Sequence, residues 1–405
     1  MSSLASLAAA LRPDPDFTVS DWADNNRKLS GKASSEPGDW RTERTPYLRG
    51  VMDELGPGSP AQRISFMKGA QVGGSEAGNN WIGYIIHHAP GPAMLVQPTV
   101  DTAKRFSKMR VTPMIEESPV LRERVSDSRS RDSGNTQLAK EFPGGILMIT
   151  GANSAVGLRS MPIRYLFLDE VDGYPHDVDG EGDPIQLAEK RTTTFSRRKI
   201  FMVSTPTVKD TSRIEREYLA SDQRRYFVPC PHCGHMQWLK WSNIRWENDD
   251  PATAVYVCSD KSGDTDQGCG ALIQERFKTE MLERGEWRAT APGDGISVGF
   301  HLSSLYSPLG WKSWEEIVRE FLTAKGDAPA LKTWVNTVLG ETWEEEYANK
   351  IGAEGLRSRV EFYNPALLPA AVLCLTAGVD VQDNRLALVI DGWGEGEESW
   401  RLYHQ

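Results

Sequence analysis

Three short segments of this chain end an apolar run with groups that can handle phosphate. In the first, Arg63-Ile-Ser-Phe-Met-Lys68 leads into Gly69, Ala70, Gln71, Val72, Gly73, Gly74 and Ser75, and then into a helical stretch through Trp81 and Ile85. Small residues at such a turn let backbone N–H groups approach phosphate oxygens, the helix N-terminus adds a favourable dipole, and a Ser hydroxyl at the helix start can ligate magnesium. Against the pattern G-x-x-x-x-G-K-[ST], Gly73 and Ser75 are in place, but Gly74 stands where the lysine belongs and the lysine stands first, as Lys68. A flexible ammonium acts as a point charge, so it can reach a terminal phosphate from the start of the loop. Taken alone, the segment also describes a Gly-rich strand-to-helix turn with no ligand.

The second segment, Arg164-Tyr-Leu-Phe-Leu-Asp169-Glu170, closes an apolar strand with two adjacent carboxylates. Strand side chains alternate, so the two diverge: Asp169 suits a magnesium ion and Glu170 suits the attacking water. Solvated acids at a strand end are the simpler reading of the pair by itself. The third segment, Ile200-Phe-Met-Val-Ser204-Thr205-Pro206, ends in hydroxyl residues that can sense a γ-phosphate, or that merely make a turn. Ligand sites gather at the carboxyl ends of parallel strands, and the order of the three segments is the one a P-loop ATPase sheet requires.

A different chemistry is concentrated in Cys230-Pro-His-Cys233-Gly, Cys258 and Cys269-Gly. Four thiolates suit a tetrahedral structural Zn2+ that holds together a module too small for its own core. The wide spacing of the second pair leaves unrelated buried cysteines as the alternative, and His232 or His235 can stand in for one ligand. Cys374, alone on an apolar strand, reads as a core residue. The acidic run Asp177, Asp179, Glu181 and Asp183 invites comparison with a calcium loop but has Ala188 where the bidentate glutamate is needed, so it reads as a solvated loop.

Positioning these groups requires several elements. The runs RISFMK, AMLVQP, GILMIT, YLFLDE and KIFMVSTP alternate with helical stretches, which predicts an α/β core with a parallel sheet. With 405 residues, more than one packed unit is expected, and 39% hydrophobic with 25% charged residues exclude disordered and fibrous classes. The expected boundaries are an N-terminal arm at 1–45, the ATPase core at 46–225, the cysteine-rich insert at 226–275, a helical linker at 276–369 and a further β unit at 370–405. No apolar run is long enough to span a bilayer, and the N-terminus lacks a secretory basic region, so a cytosolic chain with free thiols is expected. The net charge of −10 confines any nucleic-acid contact to local basic patches. Lys104, Arg105, Lys108 and Arg110 form one such run, and Lys190, Arg191, Arg197, Arg198 and Lys199 another; solvated faces are the alternative for both.

From SDWAD at 20–24 through GDW, TPYLR, KGAQVGGS, LDE, STP, CPHCG, VNTVLGETWE and LTAGVD to GWGEGEESW, the chain resembles the large terminase subunit of lambda-like tailed bacteriophages. In that family a lysine at the start of the loop is a known variant. The resemblance implies a P-loop (ASCE/RecA-like) ATPase core, a zinc-ribbon-like insert and an RNase H-like nuclease. It makes Lys68 to Ser75 the ATP-binding loop, Asp169 the Mg2+ ligand, Glu170 the catalytic carboxylate and Ser204, Thr205 and Pro206 the coupling residues. Arg159, just before the acidic strand, is a candidate transition-state cation, with an ordinary surface arginine as the alternative. Trp40, Arg41 and Tyr47 are candidates for the adenine, with core packing as the aromatics' alternative.

Leu375-Thr-Ala-Gly-Val-Asp380, with the following strand from Arg385, resembles the first hairpin of that nuclease, and Asp380 matches one of its metal ligands. Two-metal cleavage needs several carboxylates, and few residues follow the hairpin before Gln405, so the expectation is that this polypeptide alone does not cut DNA. The family further implies double-stranded DNA, a small terminase subunit, a portal or procapsid, a homo-oligomeric ring and the host cytoplasm. A helicase-like ATPase and an inactive assembly or DNA-tethering module are the competing readings.

Overall fold

A computed structural model describes residues 17–32, 34–125, 135–258, 261–262, 265–266, 268–344, 368–382 and 385–404. The chain divides into two compact units, Met1–Glu344 and Glu345–Gln405.

The first unit is organised by a large mixed sheet. In chain order its strands are β1 (Arg63–Lys68), β2 (Ala93–Gln97), β3 (Ala139–Phe142), β4 (Gly145–Gly151), β5 (Tyr165–Asp169), β6 (Lys199–Ser204), β7 (Arg224–Pro229), β8 (Met236–Trp238), β9 (Glu286–Arg288) and β10 (Ser297–Leu302). Across the sheet they run β8-β7-β10-β1-β6-β5-β2-β4-β3, with β9 also on β7. All neighbours from β7 to β4 are parallel; β3, β8 and β9 are antiparallel. The five apolar runs all form strands, and β6 lies between the loop strand β1 and the acidic strand β5. This is the ASCE arrangement of an α/β P-loop core.

Burial explains why these strands carry so little polarity. Phe66, Leu95, Phe167, Phe201 and Val203 face one buried cluster, while Met67, Met94, Val96, Leu166, Leu168, Ile200 and Met202 face a second on the other side. The helix Gly74–His87 covers the first face, and Gly78 within it is required because a Cβ there would lie 2.1 Å from the Phe167 ring.

Three features depart from the sequence reading. The arm expected at 1–45 contains the helix Val19–Asn26, whose Thr18 capping box and buried Trp22 dock it against Gly83. The stretch expected to be helical after residue 276 supplies β10, which pairs with β1 from Ser297↔Arg63 to Leu302↔Lys68. Its run SVGFHL has a central glycine and a histidine, which weakened the strand signal; pairing between β1 and β7 overrides that propensity. The cysteine-rich segment is partly edge of the main sheet, since its first knuckle is the turn of the β7–β8 hairpin. Within the helical linker expected at 276–369 lie the helices Trp314–Ala324 and Ala328–Trp334, the latter continuing through a π turn at Val335–Leu339.

The second unit contains an antiparallel sheet of Cys374–Gln382, Arg385–Trp393 and Ser399–His404, so the expected hairpin is present with a third strand beside it. Cys374 is exposed there, contrary to the core position expected, because the described residues of this unit leave that side chain uncovered. No described helix is long and apolar enough to cross a membrane.

Candidate nucleotide site and cysteine cluster

At the carboxyl end of β1 the chain turns through Gln71 (φ 58°) and Gly73 (φ 87°) before the helix begins at Gly74. Lys68 is buried, and its Nζ lies 3.3 Å from Glu170 Oε1 and 3.4 Å from Thr205 Oγ1. A Cβ on Gly74 would lie 2.8 Å from Lys68 Cε and 2.8 Å from Val203 Cγ1. The lysine at position 68 and the glycine at position 74 are therefore one feature. The stem of Lys68 occupies the space that a side chain at the usual lysine position would need.

Ser75 Oγ donates toward both carboxylate oxygens of Asp169 at 3.2 Å, and Gln97 Nε2 donates to Asp169 Oδ2 at 3.0 Å. Burial pushes the Asp169 carboxyl up to about 6, helped by the Glu170 charge and opposed by Gln97, Lys68 and Ser75. Glu170 takes the left-handed conformation (φ 56°), which costs a non-glycine residue strain. Its N–H donates to Val203 O at 2.7 Å, and its Oε2 lies 3.5 Å from Ser204 Oγ and from Thr205 N. That backbone aims Glu170 across to the end of β6, so Lys68, Ser75, Asp169, Glu170, Ser204 and Thr205 converge from three adjacent strand ends.

Other expected residues lie elsewhere. Arg159 is about half exposed and pairs with Glu181 at 2.9 Å. Tyr47 is fully buried, edge-on to Tyr226, whereas Trp40 and Arg41 line a cavity of about 520 Å³ that also borders Gly73 and Trp311. Asp177 accepts from the N–H groups of Gly180 and Gly182 at 2.7 Å each, tying down its own loop. In the basic runs, Lys199 is no surface cation: it is buried, its Nζ donating to the carbonyls of Glu54, Ser59 and Ala61. Arg110 pairs with Glu76 at 2.6 Å, and Lys104 with Asp101 at 3.4 Å. Gln97 carries little signal in the sequence beyond being a polar residue that closes an apolar strand.

The four cysteine sulfurs lie within 4.8 Å of one another, with Cys230–Cys269 at 3.9 Å and Cys233–Cys258 at 3.8 Å. Four sulfurs about 2.3 Å from one tetrahedral ion stand about 3.8 Å apart, so the cluster fits such an ion. The backbone N–H of His235 pulls the Cys233 thiol down to about 7, while burial pushes Cys230 and Cys258 up. Neither histidine joins the sulfurs; His232 packs edge-on to Phe277. Around the cluster, Ile244–Glu247, Asp250–Val257 and Leu272–Ile273 form a small antiparallel sheet. In the second unit Asp380 is exposed opposite Ala387, and among the described residues the cysteines are the one group of three or more potential metal ligands.

Comparison with known proteins identifies the family of the chain. Residues 34–287 match the model of the phage terminase large subunit gpA, ATPase domain, and residues 297–405 that of the terminase large subunit gpA, endonuclease domain. The second match begins at β10, a strand that the sheet assigns to the first unit. The chain is 33% identical over 412 residues to the large terminase subunit of Enterobacteria phage P21, covering 97% of this chain and 63% of that protein. It is 32% identical over 423 residues to that of Escherichia phage lambda, covering 99% and 64%. It thus spans less than two thirds of the length of these relatives. Among solved structures, the HK97 bacteriophage large terminase is similar at 12% identity and a TM-score of 0.46, over 95% of this chain and 67% of that one. The Thermus phage P74-26 large terminase ATPase domain is similar at 15% and 0.40, over 73% and 92%. With the ATPase-domain match alone taking in more than half of its residues, this chain belongs to the phage terminase large subunit gpA family.

Proposed function

We propose that this chain hydrolyses ATP to drive double-stranded DNA into a procapsid, as the motor part of a large terminase subunit. The observation that carries the reading is the convergence of Lys68 on Glu170 and Thr205, with Ser75 on Asp169, at the ends of β1, β5 and β6. The N–H groups of the loop's later residues and the N-terminus of Gly74–His87 bind the phosphates. Lys68 supplies positive charge at the terminal phosphate, and Glu170 orients the attacking water and takes its proton. Ser75 and Asp169 offer the hard oxygen donors that magnesium requires, and the ion, when bound, neutralises charge on the phosphate oxygens. Thr205, touching Lys68, reports loss of the phosphate to the loop after β6. The cavity beside Gly73, with Trp40 and Arg41 on its wall, is where the base lies.

The cysteine cluster holds structural Zn2+. Asp380 contributes one carboxylate to the metal site of the nuclease. Arg159 acts in the transition state only if its pairing with Glu181 is broken. The partners are a small terminase subunit and a portal, the assembly is a ring, and the setting is the host cytoplasm.

The test is DNA-stimulated ATP hydrolysis by the purified chain with magnesium, comparing wild type with Glu170→Gln and Lys68→Ala. Hydrolysis by wild type and a loss of about 100-fold or more in both variants is expected. A wild-type chain that does not hydrolyse ATP, or variants that retain activity, would overturn the reading.

A further inference from the structure

The phosphate loop is held from a side that none of the roles above uses. Two of its N–H groups are not free to meet phosphate: Gly69 N donates to Leu302 O at 2.8 Å, and Ala70 N donates to Thr337 O at 2.6 Å. The acceptor Thr337 belongs to the π turn Val335–Leu339, which ends at Gly340 in the left-handed conformation (φ 64°). That turn presses directly on the strand end that bears the lysine. A Cβ on Gly340 would lie 2.6 Å from Gly69 N and 2.7 Å from the Lys68 carbonyl carbon, and one on Gly69 would lie 2.9 Å from Val338 O.

The same turn is tied to the loop beyond the coupling residues. Asn336, nearly buried, donates from Nδ2 to Thr207 O at 2.6 Å and to Glu341 O at 2.8 Å. Trp343 N donates to Thr207 O at 2.9 Å, and Lys209 N to Trp343 O at 3.0 Å. Thr207 lies two residues after Thr205, whose hydroxyl is 3.4 Å from Lys68 Nζ. π turns recur at functional positions, and this one spans the two backbone segments whose side chains meet at the nucleotide site.

We propose that Asn336 is a positioning residue for hydrolysis: by bridging Thr207 O and Glu341 O it ties the turn, whose Thr337 O holds Ala70 N, to the loop after β6 and so fixes where Lys68 stands relative to Thr205 and Glu170. The inference rests on the ATPase reading above. A lysine at the first loop position takes its placement from the strand end and not from the helix. A displacement of about 1 Å at such a group can cost about 100-fold in rate. The phosphate-binding N–H groups from Gln71 onward make none of the bonds described, so nucleotide affinity is spared.

The experiment uses the full chain, with ATP turnover, binding of a fluorescent ADP analogue and thermal melting measured together. Wild type and Glu170→Gln first establish whether hydrolysis occurs at this site; if wild type is inactive, the ATPase reading fails and this inference with it. Given an active wild type, Asn336→Ala is expected to lower kcat about 10- to 100-fold with the ADP-analogue Kd within about 3-fold. Asn336→Asp keeps the volume but turns an acceptor toward two carbonyls, and is expected to lose at least as much. Trp22→Phe, which removes the Trp22 Nε1 donation to His87 Nδ1 at 3.0 Å, at the end of the helix Gly74–His87 remote from the loop, serves as a destabilised control and is expected to keep kcat. Asn336→Ala or Asn336→Asp within about 2-fold of wild-type kcat would overturn the proposal and leave the ATPase reading standing. So would Trp22→Phe losing as much kcat as Asn336→Ala for the same loss in melting temperature.

Discussion

The side chains of the nucleotide site, Lys68, Ser75, Asp169, Glu170 and Thr205, are spread from residue 68 to residue 205, and they meet because three parallel strands end side by side. The cysteine cluster gathers its ligands between residues 230 and 269, around a hairpin turn and a small sheet. At the first site the apolar faces of the sheet do the assembling, and hydrogen bonds within the fold, such as Gln97 to Asp169, then hold the polar groups in place. At the second, four thiols share a space that burial makes uncomfortable for two of them as thiolates, and an ion bound there would supply much of the cohesion. One site should therefore survive loss of its ligand, and the other should not.

The largest expected effect tests that contrast. Removing zinc with a chelator, or Cys258→Ser, is expected to abolish metal content and to raise hydrogen exchange of amides between residues 230 and 273 by orders of magnitude. Amides of β1, β5 and β6 should stay protected. Equal loss of protection in both regions would erase the distinction.

A middle-sized effect probes how tightly the packed site is drawn. Gly74→Ala places a methyl within 2.8 Å of Lys68 Cε, and is expected to lower kcat about 10-fold with little change in melting temperature. In the Lys68→Ala background the clash with the lysine stem is gone, so Gly74→Lys there is expected to restore part of the lost activity. Full independence of the two positions in a double-mutant cycle would show that they are not one feature.

The smallest effect concerns the support of the loop. His301, buried on β10, lies with Nε2 2.9 Å from Gly340 O and with Nδ1 against the Arg225 guanidinium, so it donates from Nε2 as a neutral ring. Burial, then the Arg225 charge, hold its pKa well below the usual value of 6.5. Below that value the unfolded chain takes up a proton that the folded chain refuses. Its contribution to stability is thus complete above pH 6.5 and declines as pH falls, by up to about 1.4 kcal/mol per pH unit. Urea titrations from pH 7 to 5.5 should show a shallower acid loss for His301→Gln than for wild type; identical slopes would remove His301 from the account.

The residue types that make up both regions were legible in the sequence. The loop from Lys68 to Ser75, the pair Asp169 and Glu170, the hydroxyls after Val203 and the Cys230–Cys233 knuckle each announce themselves within a few residues, while Cys258 and Cys269 stand well apart from that knuckle; the five apolar runs announce the strands. The hairpin from Cys374 was legible through the family resemblance of its two strands. What the sequence could not contain was decided by packing between distant segments. That β10 enters the sheet beside β1, that Lys199 is buried under three carbonyls, that Gln97 holds Asp169 and that Gly340 rests on Gly69 all depend on which strand lies beside which. A motif records which groups are available within one stretch of chain. Only the tertiary fold decides which groups from elsewhere reach them, because burial and hydrogen bonding act across space whatever the separation in sequence.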